Sequence, residues 1–385
     1  MRIQKYHILP FAIAIILFLI PFSWLKPGEM DLGGDSSRLY FYNPLAYLHA
    51  ETLYSVISSG TGGDAISFYS IPHMVLLAIF RLMTTPTILL SMYNGIKLSV
   101  AFFSCYLIVK ELLKSKEFIY KQQVVEISAL LGGIFYLFSP ILINSGWDRA
   151  ILTHTQVFIN PLMFLLLLRY FITRNIVYLL GSLMITFIFS LNFSLIGAPS
   201  FFAFFPLSLL FLFIHTKYIK KTKIPVKQLL VGGILFLLLQ AFHIVPHIIS
   251  LLSTGSEYAG LFTDKTKFTR GLDYFTGIAP SIKVSISLLN LAQVRDIVLL
   301  SLGFIVFPAI VIIGFLLNSA KKYSSSKYTL LLSGIFFLIT LFFASANITD
   351  IGFAFYKFLF YIPGFQMFRN FYGQWAFTFV FFYTL

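Results

Sequence analysis

Cysteine is nearly absent from this 385-residue chain, where Cys105 stands alone. A lone cysteine excludes an internal disulfide and a thiolate metal site. Charge is equally scarce. Charged residues make up 11% of the chain, against roughly 25% in soluble domains. Acids are the rarer sign, with 14 Asp and Glu against 28 Lys and Arg. There is no Walker lysine motif, no G-x-S-x-G and no H-E-x-x-H. Those absences exclude a P-loop NTPase, a nucleophile-elbow hydrolase and a zincin. No segment suits a soluble nucleotide-binding domain. Internal repeats and low-complexity stretches are missing too.

What fills the chain is apolar. Hydrophobic residues account for 58%, and phenylalanine alone occurs 46 times. That composition predicts an all-α, polytopic transmembrane helical bundle. The net charge of +14 then serves topology against anionic lipid rather than nucleic acid, which is not expected as a partner.

About ten spans are expected: residues 8–25, 86–109, 124–145, 151–168, 176–193, 200–215, 228–251, 297–317 and 328–345, with a last one starting near 371. Residues 8–25 read as an uncleaved first span, because "FSWLKPGE" offers no small-residue cleavage site. Residues 71–83, "IPHMVLLAIFRLM", are apolar but too short to cross, and predict a re-entrant or interfacial helix in the first outer loop. The whole of 1–385 reads as a single transmembrane domain, cut short at its C-terminal end within an apolar run.

Basic residues orient the bundle. With the N-terminus in the cytoplasm, 16 of the 28 fall at the cytoplasmic ends, among them Lys110, Arg169, Lys217 and Lys321. Short basic loops face the cytoplasm. The large connections 26–70, 252–296 and 346–370 then lie outside, and long ordered loops are usually functional. An integral plasma or inner membrane protein with its active site on the outer face is expected.

The first outer loop holds the leading candidate. "GGDSSR" sets Asp35 and Arg38 three residues apart, on one face of a helix or turn. The Arg38 guanidinium favours an ionised Asp35. An ionised carboxylate there can take a proton from a hydroxyl, while Gly33 and Gly34 admit close backbone approach. A solvated surface pair is the alternative. Asp64, beyond Gly60, Gly62 and Gly63, is a second candidate acid or a polar loop tip. Arg149, in "SGWDRAILTHTQ", suits a phosphate or an interfacial anchor beside Trp147. Arg369 and Asn370, in "MFRNFYGQW", carry the same two readings. His243 and His247 share a helix face; their spacing permits a metal, though packed, hydrogen-bonded imidazoles suit them better. Lys97 lies inside a span, where charge usually has a purpose or pairs within the bundle. Asp31, Asp35 and Asp64 are available to a divalent metal ion, without a spacing rule to fix one. No other cofactor is indicated.

The order of these elements resembles the C-type superfamily of integral-membrane glycosyltransferases. Several stretches resemble, more narrowly, the membrane domain of alpha-(1→3)-arabinofuranosyltransferases and the YfhO-type membrane proteins. "GGDSSRLYFYNP" is similar in placement to the acid-bearing start of their first outer loop. "SFYSIPHMVLLAIF" resembles their proline-containing return helix. "ALLGGIFYLFSPILINSG" resembles their third span, and "MFRNFYGQW" is similar to a late arginine-containing element. Where the family more often has Thr-Lys after the acid, this chain has Ser-Ser-Arg.

The resemblance implies a polyprenyl-phosphate-linked sugar donor, used outside the membrane. Asp35 would be the base that deprotonates the acceptor hydroxyl of a cell-envelope glycan or glycolipid. Transfer would invert the anomeric centre, with Arg149 and Arg369 at the leaving phosphate. A transporter or a flippase for lipid-linked sugars is the alternative, and would thread polar residues through the bundle midplane.

Overall fold

The computed structural model describes residues 8–24, 39–53, 68–114, 122–139, 142–143, 147, 155–190, 199–252, 312–313, 325–362 and 365–385. Among them every regular element is helical and no strand occurs. Apart from Leu252, Ile312 and Ile313, the expected span 297–317 and loop 252–296 therefore lie outside the described residues, as does most of 26–70.

The first helix, α1 (Ile8–Leu19), gives way at Pro21 to a 3-10 turn, Ile20–Ser23. Two short helices, α2 (Leu39–Tyr42) and α3 (Pro44–Leu53), flank Asn43. The Asn43 side chain accepts from the Ala46 N–H at 3.2 Å, ahead of Pro44 at the first helical position. A 3-10 turn at Phe68–Ser70 then leads into α4 (Ile71–Met83), with the boundaries its apolar pattern predicts. Its buried residues His73, Met74, Leu77 and Ala78 form one face.

The long helix α5 (Pro86–Leu113) is the axis of the first half. It packs against α1, against α6 (Gln122–Leu137) and against α7 (Gln156–Thr173). Helix α6 stops well before the expected residue 145. Pro140 denies the helix an N–H and disfavours helical backbone at Ser139. The Trp147 indole N–H donates to the Leu137 carbonyl at 2.9 Å. Trp147 thus closes a helix end, a role beyond interfacial anchoring. Pro161 inside α7 likewise frees the carbonyl four residues earlier, at Val157. The buried Tyr136 hydroxyl donates to that carbonyl at 2.8 Å.

Next come α8 (Ile176–Ile188), α9 (Pro199–Ile214), whose end widens into a π turn at His215–Ile219, and α10 (Val226–Leu252). The last elements are α11 (Ser325–Ala344), α12 (Asp350–Leu359), the 3-10 turn Phe365–Arg369 and α13 (Phe371–Thr384). Among the described residues four stretches are long and apolar enough to cross a membrane: Gln156–Thr173, Ser200–Ile219, Val226–Pro246 and Lys327–Ala344.

Helix directions follow from contacts. Phe343 stacks on Trp375 with ring centroids 4.3 Å apart, and Phe337 on Tyr383 at 5.0 Å, so α11 and α13 are antiparallel. The π turn that ends α9 lies against α11. Tyr170 and Arg174, ending α7, bond Gln228 and the Lys223 carbonyl just beyond that turn. Helices α7, α9 and α13 therefore point the same way. Between them sits a phenylalanine core. Phe381 has Phe164 and Phe204 each at 4.9 Å, and Phe211 lies 5.4 Å from Phe336.

Candidate functional site

The two ends of the bundle differ in how their polar groups are held. At the end where α5 and α7 finish, the groups are paired. Lys110 and the Tyr106 hydroxyl both bond Glu126, which is buried. Arg169 meets Glu111 at 3.0 Å. The Tyr170 hydroxyl donates to Gln228 at 2.6 Å.

The opposite end is where α4, α5 and α7 begin and α8 finishes. Four rings close a circle there. His73 and Tyr93 are 5.6 Å apart, Tyr93 and Phe158 6.4 Å, Phe158 and Phe189 5.3 Å, and Phe189 and His73 5.1 Å. Neither His73 nitrogen nor the Tyr93 hydroxyl has a hydrogen-bond partner. Burial lowers the His73 pKa from 6.5 to about 3, so this ring on the short helix α4 is neutral. Next to Tyr93 the Asn94 carbonyl oxygen is also buried and unpartnered. Lys97, one turn further along α5, is fully buried and engaged within the bundle.

On α7, Gln156 and Asn160 are 1% and 0% exposed. The Gln156 Oε1 and both polar atoms of Asn160 lack partners. On α13 the same holds for Gln374 Oε1 and Thr378 Oγ1. An unsatisfied buried polar group costs about 1–3 kcal/mol. Nine of the twelve such atoms among the described residues belong to this end and its α7 and α13 stripes.

Well-made hydrogen bonds frame the region. Gln240 donates to the Thr186 carbonyl at 2.9 Å and receives His243 Nε2 at 2.7 Å. Since Gln240 Oε1 accepts, His243 Nε2 carries the proton. His243 is therefore a packed, hydrogen-bonded imidazole; the His247 side chain lies outside the described residues. Ser190 donates to the Tyr69 carbonyl, tying α8 to the turn before α4. Arg81 donates to the Tyr42 and Thr84 carbonyls at 3.3 and 2.8 Å, joining α4 to the end of α2.

Asp35, Arg38, Asp64 and Arg149 lie outside the described residues, as does Asp31. In the chain, Arg38 directly precedes α2, Asp64 precedes the Phe68–Ser70 turn, and Arg149 falls between Trp147 and α7. Of the candidates, Arg369 and Asn370 are described. Both are half-buried, between the Phe365–Arg369 turn and α13. The Tyr356 hydroxyl donates to the Phe368 carbonyl at 2.7 Å and accepts from the Trp375 N–H at 3.2 Å. That pair fixes the backbone beside Arg369. Asn370 Oδ1 accepts from the Gly373 N–H at 3.1 Å, capping α13.

Among the described residues no three His, Cys, Asp or Glu side chains converge on a metal position. Six polar residues of this end and its stripes escaped the sequence reading: His73, Tyr93, Gln156, Asn160, Gln374 and Thr378. A signal existed, since Gln156 and Asn160 interrupt "QVFINPLMF" at helical spacing, and polar groups inside apolar spans mark functional positions.

No protein-family model, curated protein or solved structure matches this chain.

Proposed function

We propose that the protein is a membrane glycosyltransferase that uses a polyprenyl-phosphate-linked sugar on the outer face of the membrane. The acceptor is a glycan or glycolipid of the cell envelope, and the anomeric centre inverts. Asp35 takes the proton of the acceptor hydroxyl, whose oxygen attacks the anomeric carbon as polyprenyl phosphate departs. Arg149 and Arg369 offset the charge that develops on the leaving phosphate. Arg38 favours ionised Asp35, and Asp64 borders the same loop. Helix α4 is read as the return helix of that outer loop. No nucleotide takes part, because the lipid phosphate is itself the leaving group.

One observation carries the reading. Buried hydrogen-bonding groups without partners gather at the end of the bundle where the Asp35, Asp64 and Arg149 segments join described helices. A hydroxyl-rich substrate meets such groups, whereas a purely structural core pairs them. The opposite end, with its ion pairs and the basic Lys217–Lys227 segment, matches a cytoplasmic face. Transport fits less well. A path across the bundle would have to cross the layer of Phe164, Phe204, Phe211 and Phe381, all fully buried.

The test is sugar transfer in membranes from labelled polyprenyl-phosphate sugars, comparing wild type with Asp35→Asn. The variant inserts normally and loses roughly 10²–10⁴-fold in rate, the range of a general base. Undiminished transfer removes Asp35 from the mechanism.

A further inference from the structure

Acidic residues are missing from a long central part of the chain. Between Asp148 and Glu257 there is no Asp or Glu, while eight Lys and Arg stand there. Five of the eight, Lys217, Lys220, Lys221, Lys223 and Lys227, crowd into the turn that joins α9 to α10. Neighbouring elements bring no compensation. Helix α11, which lies against the π turn, has no acid and adds Lys327. Glu126 and Glu111, described acids of this pole, are already taken by Lys110 and Arg169. Lys227 and Lys327 even occupy the first turns of α10 and α11, where the helix dipole favours negative charge.

The turn is nevertheless firmly built. The Lys220 N–H donates to the His215 carbonyl at 2.9 Å, and the Thr222 N–H to the Thr216 carbonyl at 3.0 Å. The Thr222 hydroxyl reaches that second carbonyl at 3.3 Å. Arg174, which ends α7, donates to the Lys223 carbonyl. Lys221 sits at φ 53°, in the left-handed region, which a residue other than glycine keeps only where its surroundings hold it. Like charges repel, so a turn that fixes five lysines together is relieved by an external anion.

What borders the lysines selects the anion. The turn joins Ser200–Ile219 to Val226–Pro246, two of the stretches able to cross a membrane. Phe213, Tyr218, Val226 and Leu230 are exposed on them. The Lys217 ammonium lies 5.4 Å from the Phe213 ring centre and 5.2 Å from that of Tyr218. A cation held against exposed rings marks a seam between charge and apolar surface. A soluble anion would use only the charge. A phospholipid uses both, its phosphate on the ammonium groups and its acyl chains along the rings. We infer that the Lys217–Lys227 turn binds the headgroup of an anionic phospholipid in the leaflet it faces. Lys217, Lys221, Lys223 and Lys227 are exposed and Lys220 is half-buried, so a headgroup reaches them from the membrane surface. The site is independent of sugar transfer and lies at the opposite pole from Arg369.

The test is lipid binding by the purified full chain in neutral detergent. Native mass spectrometry gives its affinities for phosphatidylglycerol and phosphatidylcholine, which differ in net headgroup charge. Wild type is compared with Lys217→Gln/Lys220→Gln/Lys223→Gln and with Lys357→Gln, a control at the opposite pole. Wild type holds phosphatidylglycerol more tightly. The triple variant narrows that preference about fivefold per lysine, roughly a hundredfold together. Lys357→Gln leaves it unchanged, and glycerol 3-phosphate does not compete. In lipid-free detergent the thermal midpoint of the triple variant holds or rises, since like charges are removed. With phosphatidylglycerol the wild type gains more than the variant. That gain shrinks as ionic strength rises from about 0.1 M to about 1 M, which shortens the screening length from about 10 Å to about 3 Å.

Equal affinity of wild type for the two lipids overturns the inference, as does a preference that the triple variant keeps. An equal loss in Lys357→Gln reduces the effect to overall charge and removes the site. Displacement by glycerol 3-phosphate gives the turn to a soluble anion instead. A lipid-free midpoint that falls, with equal loss of both lipids, marks the lysines as structural.

Discussion

Replacing Gly95 with alanine tests how closely α1 and α5 approach. A Cβ built at Gly95 would lie 2.3 Å from the Phe18 carbonyl oxygen, 2.9 Å from Phe18 Cδ2 and 3.1 Å from the Phe18 carbonyl carbon. Ordinary contact begins at 3.4 Å. The α1 backbone must therefore retreat by about 1.1 Å, and backbone cannot rotate aside as a side chain does. Four residues on, Ser99 donates to the Ala14 carbonyl at 2.6 Å, and Ala14 in turn precedes Phe18 by four. Small residues one turn apart thus hold the two helices together, and the retreat stretches that hydrogen bond as well. Overpacking of this kind costs about 1–3 kcal/mol. Gly233 on α10 is the control, since a Cβ there meets nothing within 4 Å. Alanine at that site removes backbone freedom from the unfolded chain and adds up to about 1 kcal/mol of stability. Thermal unfolding of the purified full chain in detergent reads both. The midpoint of Gly95→Ala falls, and that of Gly233→Ala holds or rises. Equal shifts for the two variants would refute the close approach.

Two further tests use the same melt. Asn370→Ala removes the α13 cap and costs about 0.5–2 kcal/mol, which Asn370→Asp restores by keeping the accepting oxygen; an unshifted midpoint for the alanine variant denies the cap. Arg169→Ala deprives Glu111, 9% exposed, of its 3.0 Å partner, and costs about 1–3 kcal/mol. Adding Glu111→Gln recovers part of that loss, and a double variant no better than the single one contradicts the pairing.

The all-helical nature of the bundle was legible in composition, and α4 in its apolar pattern. Boundaries failed where proline acts within a greasy run. Residues 124–145 are apolar for most of their length, yet Pro140 and the Trp147 indole set the end of α6 at Leu137. Hydropathy averages over such breaks. The site was legible only where charge marked it. Arg369 and Asn370 announced themselves by polarity in an aromatic stretch, whereas Asn160 and Thr378 disappear among apolar neighbours. Both are buried without a hydrogen-bond partner because of how helices pack around them, and no local pattern encodes which faces meet. The Tyr136 bond to Val157 is of the same kind. Pro161 announces a freed carbonyl, but nothing nearby says that a tyrosine from α6 answers it.

The deep seat of α13 has a consequence for how the molecule is made. Phe379, Val380 and Phe381 are fully buried among helices synthesised earlier. From Ile214, the end of α9, to Phe371, the start of α13, the ribosome adds 157 residues. At 5–20 residues per second that takes roughly 8–30 s. During that interval the slot awaiting α13 is open to lipid tails, which cost the apolar walls little. Helix α13 then displaces lipid and brings the Arg369 turn with it. This pole of the bundle is therefore incomplete in nascent chains until translation has passed α13.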